Sequence, residues 1–184
     1  MSRLSSPIHT ARLDLVAITI EHLELELQSQ AQLGEALGTT VPEGWPPGLY
    51  DHDAIVFFRD RLRAEGVDSI GWYGWYGVLR ATAEAPSVLV GSAGFFGPPR
   101  GGETEIGYSI VESLRKRGFA TEMVVGLVDH VRHVEALSML VAHTTMDNVA
   151  SQQVLRRAGF ELTGMGAEPG MLKFTQAIRH PRLP

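Results

Sequence analysis

The hydrophobic period of this chain switches at Gly118, and that switch limits the folds open to it. Upstream, "ETEIGYSIV" (103–111) reads as a strand. Downstream, Ala120, Val124, Leu127, Val128 and Val131 share one helical face, with Glu122, Asp129 and Arg132 off it. A strand that runs through a glycine into an amphipathic helix must pack that helix back onto a sheet. The junction itself, "RKRGFATEM", sets Arg115, Lys116 and Arg117 directly before Gly118. The first N–H groups of a helix have no intrahelical partner and sit at the positive end of its dipole, worth about half an elementary charge. A glycine there lets a ligand approach without meeting a Cβ. Such a junction can cradle a phosphate, and the three cations add longer-range attraction. A charged turn with a glycine is the competing reading, and local residues alone leave both open. Neither G-x-x-x-x-G-K-[ST] nor G-x-G-x-x-G occurs, so a nucleoside triphosphatase or a dinucleotide fold has no support.

Around the junction the elements alternate. "ARLDLVAI" (11–18) reads as a strand, and Thr19 is placed to cap the helical "IEHLELELQ", with Glu21 in its first turn. A second short helix ends near Gly38, and "VPEGWPPGLYD" (41–51) reads as an irregular loop. Residues 53–65 form an amphipathic helix with apolar side chains at 55, 58 and 62. Three strands follow at 70–80, 87–97 and 103–111, with gaps short enough for antiparallel hairpins. Beyond the Gly118 helix come a strand at 138–145 and a helix "NVASQQVLRRAG", with Asn148 as cap and Gly159 as stop. "GFELTG" and "GMLKFTQAI" read as two closing strands. The order β-α-α-α-β-β-β-α-β-α-β-β predicts an α/β domain around a mixed, mostly antiparallel sheet, with residues 1–184 as one domain.

Composition narrows the function. A formal net charge of −5 argues against a nucleic-acid binder, so a local basic patch points to a small anionic ligand. With no cysteine there is no disulfide, thiolate metal site or thiol nucleophile, which fits a reducing compartment. The N-terminal residues lack an apolar signal core, and no apolar run approaches the ~20 residues of a membrane span. A cytoplasmic protein with no membrane or nucleic-acid partner is expected; a homodimer is left open.

Two motifs together carry a resemblance. Arg115 to Ala120 fits [Q/R]-x-x-G-x-[G/A], and "NVASQQVLRRAGF" (148–160) fits N-x-x-S-x-x-V-L-x-x-x-G-F. Both patterns, at this spacing, resemble the GNAT family of N-acetyltransferases. "LVGSAGFFGPPRGG" and "EIGYSIVESLRKRGFATEMVVGLVDHV" are similar to its RimJ/RimL subgroup. The likeness is good over 85–163 and looser before it. It implies the GNAT fold, in which two splayed parallel strands, here 103–111 and 138–145, hold acetyl-CoA. By the resemblance, the amides of Arg115, Lys116, Arg117, Gly118, Phe119 and Ala120 hold the pyrophosphate, with Thr121 adding a hydroxyl. The backbone of Ser109, Ile110 and Val111 would pair with the pantetheine arm. Asn148 and Ser151 would lie near the thioester; a plain helix cap is the alternative for Asn148, and an exposed helical residue for Ser151.

The implied reaction is direct attack of a primary amine on the thioester in a ternary complex. An ammonium has no lone pair, so its proton must leave; a free α-amino group ionises near ~7.7–8.0 and lysine near ~10.4. Glu105 is the candidate base, directly or through water, and Glu103 the alternative. Many relatives carry a tyrosine four residues before the "GF" glycine to protonate the thiolate; this chain has Leu155, leaving Ser151 or Tyr108 to assist. A non-catalytic acyl-CoA-binding module is the rival that Leu155 favours, and a general phosphate-binding α/β protein is a third reading. The acceptor is a protein N-terminus, an amino acid or a small amine. In "GWYGWYG" (71–77), Trp72 with Tyr76 and Tyr73 with Trp75 fall on opposite strand faces, one for the core and one open to an acceptor pocket. The 41–53 loop, with Glu43, Trp45, Asp51 and Asp53, reads as solvated or as a cover for a cationic acceptor. His130 and His133 read as surface residues.

Overall fold

In a computed structural model that describes residues 5–180, eight strands form one sheet flanked by five α-helices. A short β1 (Ile8–His9) pairs with β2 (Leu13–Ala17), whose Leu13, Leu15 and Ala17 alternate inward. Helices α1 (Ile20–Gln28), α2 (Gln30–Leu37) and α3 (His52–Glu65) follow. They begin at side-chain caps from Thr19, Ser29 and Asp51, each accepting a backbone N–H that the first turn leaves unpaired. Left-handed Gly38 ends α2.

The sheet continues with β3 (Trp75–Leu79), β4 (Val88–Phe95) and β5 (Glu103–Ile110), each antiparallel to its neighbour. Helix α4 (Phe119–Val131) then crosses to β6 (Met139–Thr145), which runs parallel to β5. Helix α5 (Val149–Arg157) leads to the hairpin of β7 (Glu161–Met165) and β8 (Met171–Ala177), giving the order β1-β2-β3-β4-β5-β6-β8-β7. Met123, Val124, Leu127, Val128 and Val131 bury the apolar stripe of α4 against the sheet. The mixed, mostly antiparallel architecture agrees with the sequence reading, and so does the element order apart from the short β1, which that reading did not include.

Three expectations need correction. The strand expected at 70–80 starts only at Trp75, because Gly71 and Gly74 take positive φ and turn the chain beforehand. Consequently neither aromatic face is open: Trp72, Tyr73, Trp75 and Tyr76 are all at most 5% exposed. The 41–50 loop is not merely solvated, since Trp45 and Tyr50 are buried and Asp51 is spent on capping α3. His130 is half-buried and meets the Trp75 ring edge-on at 5.2 Å, while His133 is exposed. Among the described residues no three His, Asp or Glu side chains converge as metal ligands, and no helix is long and apolar enough to cross a membrane.

Candidate functional site

The parallel pairing of β5 and β6 stops early. Glu103, Thr104 and Glu105 pair with Met139, Leu140 and Val141, after which the strands part. Beyond that point β5 keeps only β4 and β6 keeps only β8 as a neighbour. A wedge therefore opens between 106–110 and 142–145, with unpaired main-chain groups along its walls. Phe96 N–H donates to Glu105 O and Val111 N–H to Val90 O, so the odd-numbered residues of β5 spend their main-chain groups on β4. The even-numbered Ile106, Tyr108 and Ile110 face the wedge. Of Ser109, Ile110 and Val111, only Ile110 thus offers backbone to a ligand there, and its carbonyl already accepts from Arg115 Nε at 3.1 Å. Ser109 instead points its hydroxyl at the 41–50 loop, donating to Pro47 O at 2.7 Å.

Side chains of opposite chemistry flank the wedge on the two sheet faces. On the face of α1–α3, Glu105 Oε1 lies 2.9 Å from His143 Nδ1, a pair that bridges the parting strands at the apex. Their side chains stay 39% and 26% exposed, which leaves both within reach of a substrate. In the neutral tautomer that carries its hydrogen on Nδ1, toward Glu105, the ring leaves Nε2 as an acceptor. On the other face, Tyr108 OH and Ser151 Oγ are 2.8 Å apart, with either able to donate, and Ser151 O, 3.1 Å away, is a second acceptor for the phenol hydrogen. Burial pushes the Tyr108 phenol up to about 12, so it remains a proton donor at neutral pH, the Ser151 contact opposing that shift. Asn148 caps α5 by accepting Ser151 N–H at 3.0 Å. Leu155 is fully buried, and its side chain has no proton to give.

At the end of β5 the chain makes a short 3-10 turn (Glu112–Leu114) and enters the basic loop. Lys116 (φ 62°) and Gly118 (φ 83°) are left-handed, and Phe119 begins the right-handed helix. Left-handed followed by right-handed residues turn successive N–H groups to one side, forming an anion-binding concavity. Helix α4 has no side-chain cap, and its first bond runs from Glu122 N–H to Gly118 O. The N–H groups of Phe119, Ala120 and Thr121 precede that bond. The Arg115, Lys116 and Arg117 side chains are exposed, whereas Phe119 is buried and serves packing. Glu103 is exposed on the Glu105 face, without the histidine partner.

His143 is the residue that the sequence reading missed. It stands out as one polar ring within the apolar strand "MLVAHTT", but its pairing with Glu105 depends on the β5–β6 register, which no local pattern supplies.

The family model for the acetyltransferase (GNAT) domain matches residues 12–161. An uncharacterized N-acetyltransferase of Bacillus subtilis, YjdG, is 30% identical over 162 residues, covering 88% of this chain and 93% of YjdG. Among solved structures, Mycobacterium smegmatis RimJ in complex with a CoA disulfide superimposes with a TM-score of 0.62 at 17% identity, covering 95% of this chain and 88% of RimJ. RimL, a ribosomal L7/L12 alpha-N-protein acetyltransferase solved with coenzyme A, gives 0.60 at 22% identity, covering 94% and 98%. GNAT acetyltransferases use acetyl-CoA as acyl donor, and an uncapped, positively flanked helix start beside a strand wedge suits it. The family match across most of the chain, joined to this sheet and its parted parallel strands, establishes that the protein belongs to the GNAT family of acetyltransferases.

Proposed function

We propose that the protein is an N-acetyltransferase that carries the acetyl group of acetyl-CoA to a primary amine by direct attack in a ternary complex. The observation that supports this best is the β5–β6 wedge, with a proton-accepting pair on one face, a hydroxyl pair on the other and an anion cradle at its end. The pantetheine arm lies in the wedge, hydrogen-bonding the inward main chain of β5, and the pyrophosphate sits on the amides from Lys116 to Thr121. The amine enters from the α1–α3 face and gives its proton to the Glu105–His143 pair. Its lone pair then attacks the thioester carbonyl, and the nitrogen, cationic once bonded to carbon, releases its second proton to solvent. When the tetrahedral intermediate collapses, the carbon–sulfur bond breaks, and the thiolate departs on the face of Ser151 and Tyr108. Ser151 Oγ, whose lost proton Tyr108 OH replaces, is the acid of this step. No cysteine exists to carry the acetyl group, which favours direct transfer.

RimL's name describes action on a protein α-amino group. A peptide N-terminus is therefore the first acceptor to try, followed by amino acids and small amines. The test is coenzyme A release across such a panel. Glu105→Gln lowers kcat by about 10²–10⁴-fold, the usual worth of a positioned proton acceptor, with acetyl-CoA affinity unchanged; His143→Gln follows in the same direction. Turnover that survives both changes refutes the pair's role. Acetyl-CoA binding without release on any acceptor identifies a non-catalytic acyl-CoA module instead.

A further inference from the structure

Arg12, just before β2, reaches across the molecule to the start of α4. Its Nε donates to Glu122 Oε2 at 2.8 Å, and a terminal nitrogen lies 2.7 Å from the same oxygen. Its other terminal nitrogen donates to the carbonyl of Arg117 at 3.0 Å, and the guanidinium lies over the Phe119 ring at 4.6 Å. Glu122 Oε1 meanwhile accepts from Thr10 OH at 2.6 Å and Arg12 N–H at 2.7 Å. The turn that carries Arg12 is held from its far side by Arg80, which donates to the carbonyls of Thr10, Ala11 and Leu13 and to Asp14. One cation thus grips both the first turn of α4 and the peptide unit that enters it.

Two consequences bear on ligand binding. A peptide unit is planar, with its C=O and N–H pointing in opposite directions. Fixing the Arg117 carbonyl therefore fixes the Gly118 N–H on the other side. Glu122 also places a negative charge in the first turn of the helix that must accept an anion, and Arg12 neutralises it at contact distance. We infer that Arg12 is a positioning residue for the cofactor's pyrophosphate: it presets the Gly118 amide and masks Glu122. This rests on the reading that the amides around Gly118 hold the pyrophosphate.

The experiment compares the affinities of coenzyme A and of pantetheine, which lacks the pyrophosphate, by calorimetry on the full chain. Wild type prefers coenzyme A. Arg12→Met reduces that preference about tenfold or more while pantetheine affinity stays within twofold. Adding Glu122→Gln to Arg12→Met recovers part of it, because the exposed charge is gone; a pair that served only to hold the fold gives no such recovery. Arg12→Lys keeps the charge but lacks the planar fork, so it folds with the ion pair retained and still binds coenzyme A less tightly. Full preference in both Arg12→Met and Arg12→Lys overturns the inference, as does equal loss for the two ligands. If wild type itself shows no preference, the cradle reading fails on its own, independently of Arg12.

Discussion

Glu26 is a buried carboxylate, 8% exposed, that accepts three hydrogen bonds: from Trp45 Nε1 at 2.6 Å, Tyr50 OH at 2.8 Å and Tyr76 OH at 2.5 Å. It fastens the 41–50 loop to α1, and the same loop receives the Ser109 hydroxyl at Pro47. Replacing it with leucine strands three buried donors at about 1–3 kcal/mol each. The leucine returns about 1.5–3 kcal/mol through apolar burial, and losing a buried charge helps in the same direction. The net loss is about 3 kcal/mol, or about 6–12 °C in melting temperature for a chain of this size. Glutamine behaves differently. Its carbonyl can serve Trp45, a donor only, while its NH₂ faces two tyrosine hydroxyls able to accept, so the change costs about 1 kcal/mol or less. Burial also holds the Glu26 carboxyl above its ordinary value of 4.5, with the three donors opposing. The folded state therefore binds this proton more tightly than the unfolded chain. That contribution is full below pH 4.5 and is lost as pH rises through the folded value. The melting-temperature advantage of wild type over Glu26→Gln accordingly shrinks as pH climbs from 4.5, since glutamine does not titrate. Thermal unfolding of the three proteins across pH measures all of this. If leucine is tolerated as well as glutamine, the hydrogen-bond accounting is wrong.

Four further outcomes follow from the cradle and its support. Acetyl-CoA raises the melting temperature of wild type by mass action on the native state. Gly118→Val abolishes that shift, because φ 83° is strained for valine and the cradle's turn cannot keep its shape. Lys116→Gly leaves the shift intact, since it relieves a left-handed residue and removes only an exposed cation. Glu122 and Asp14 have the opposite acid behaviour to Glu26. Although burial works to raise both, the Thr10 and Arg12 hydrogen bonds at Glu122 and the His9 and Arg80 contacts at Asp14 outweigh it and hold each below its ordinary value. Their stabilisation is present above pH 4.5 and 3.8 respectively and is lost as pH falls through the folded values. Acid unfolding of Glu122→Gln should therefore show a shallower loss than wild type below pH 4.5.

What the sequence made legible, and what it hid, divides along a physical line. Thr19, Gly38, Asn148 and the uncapped start at Gly118 act on main-chain groups within a few residues of themselves, and each could be read from its neighbours. The aromatic run at 71–77 misled because strand alternation was assumed through Gly71 and Gly74, whose positive φ breaks it. The Glu105–His143, Tyr108–Ser151, Arg12–Arg117 and Glu26–Trp45 contacts join residues 38, 43, 105 and 19 positions apart. Each depends on a strand register, a helix placement or a loop path that only tertiary packing fixes. The same division runs through the proposed chemistry. Holding an anion needs one continuous segment, because the amides of a helix start already point together. Moving a proton onto and off an acetyl transfer needs groups on both faces of a sheet, and no single segment supplies both. The parting of β5 from β6 after Glu105 is what lets one ligand touch both sets, so the bridge from Glu105 to His143 lies where the strands stop pairing.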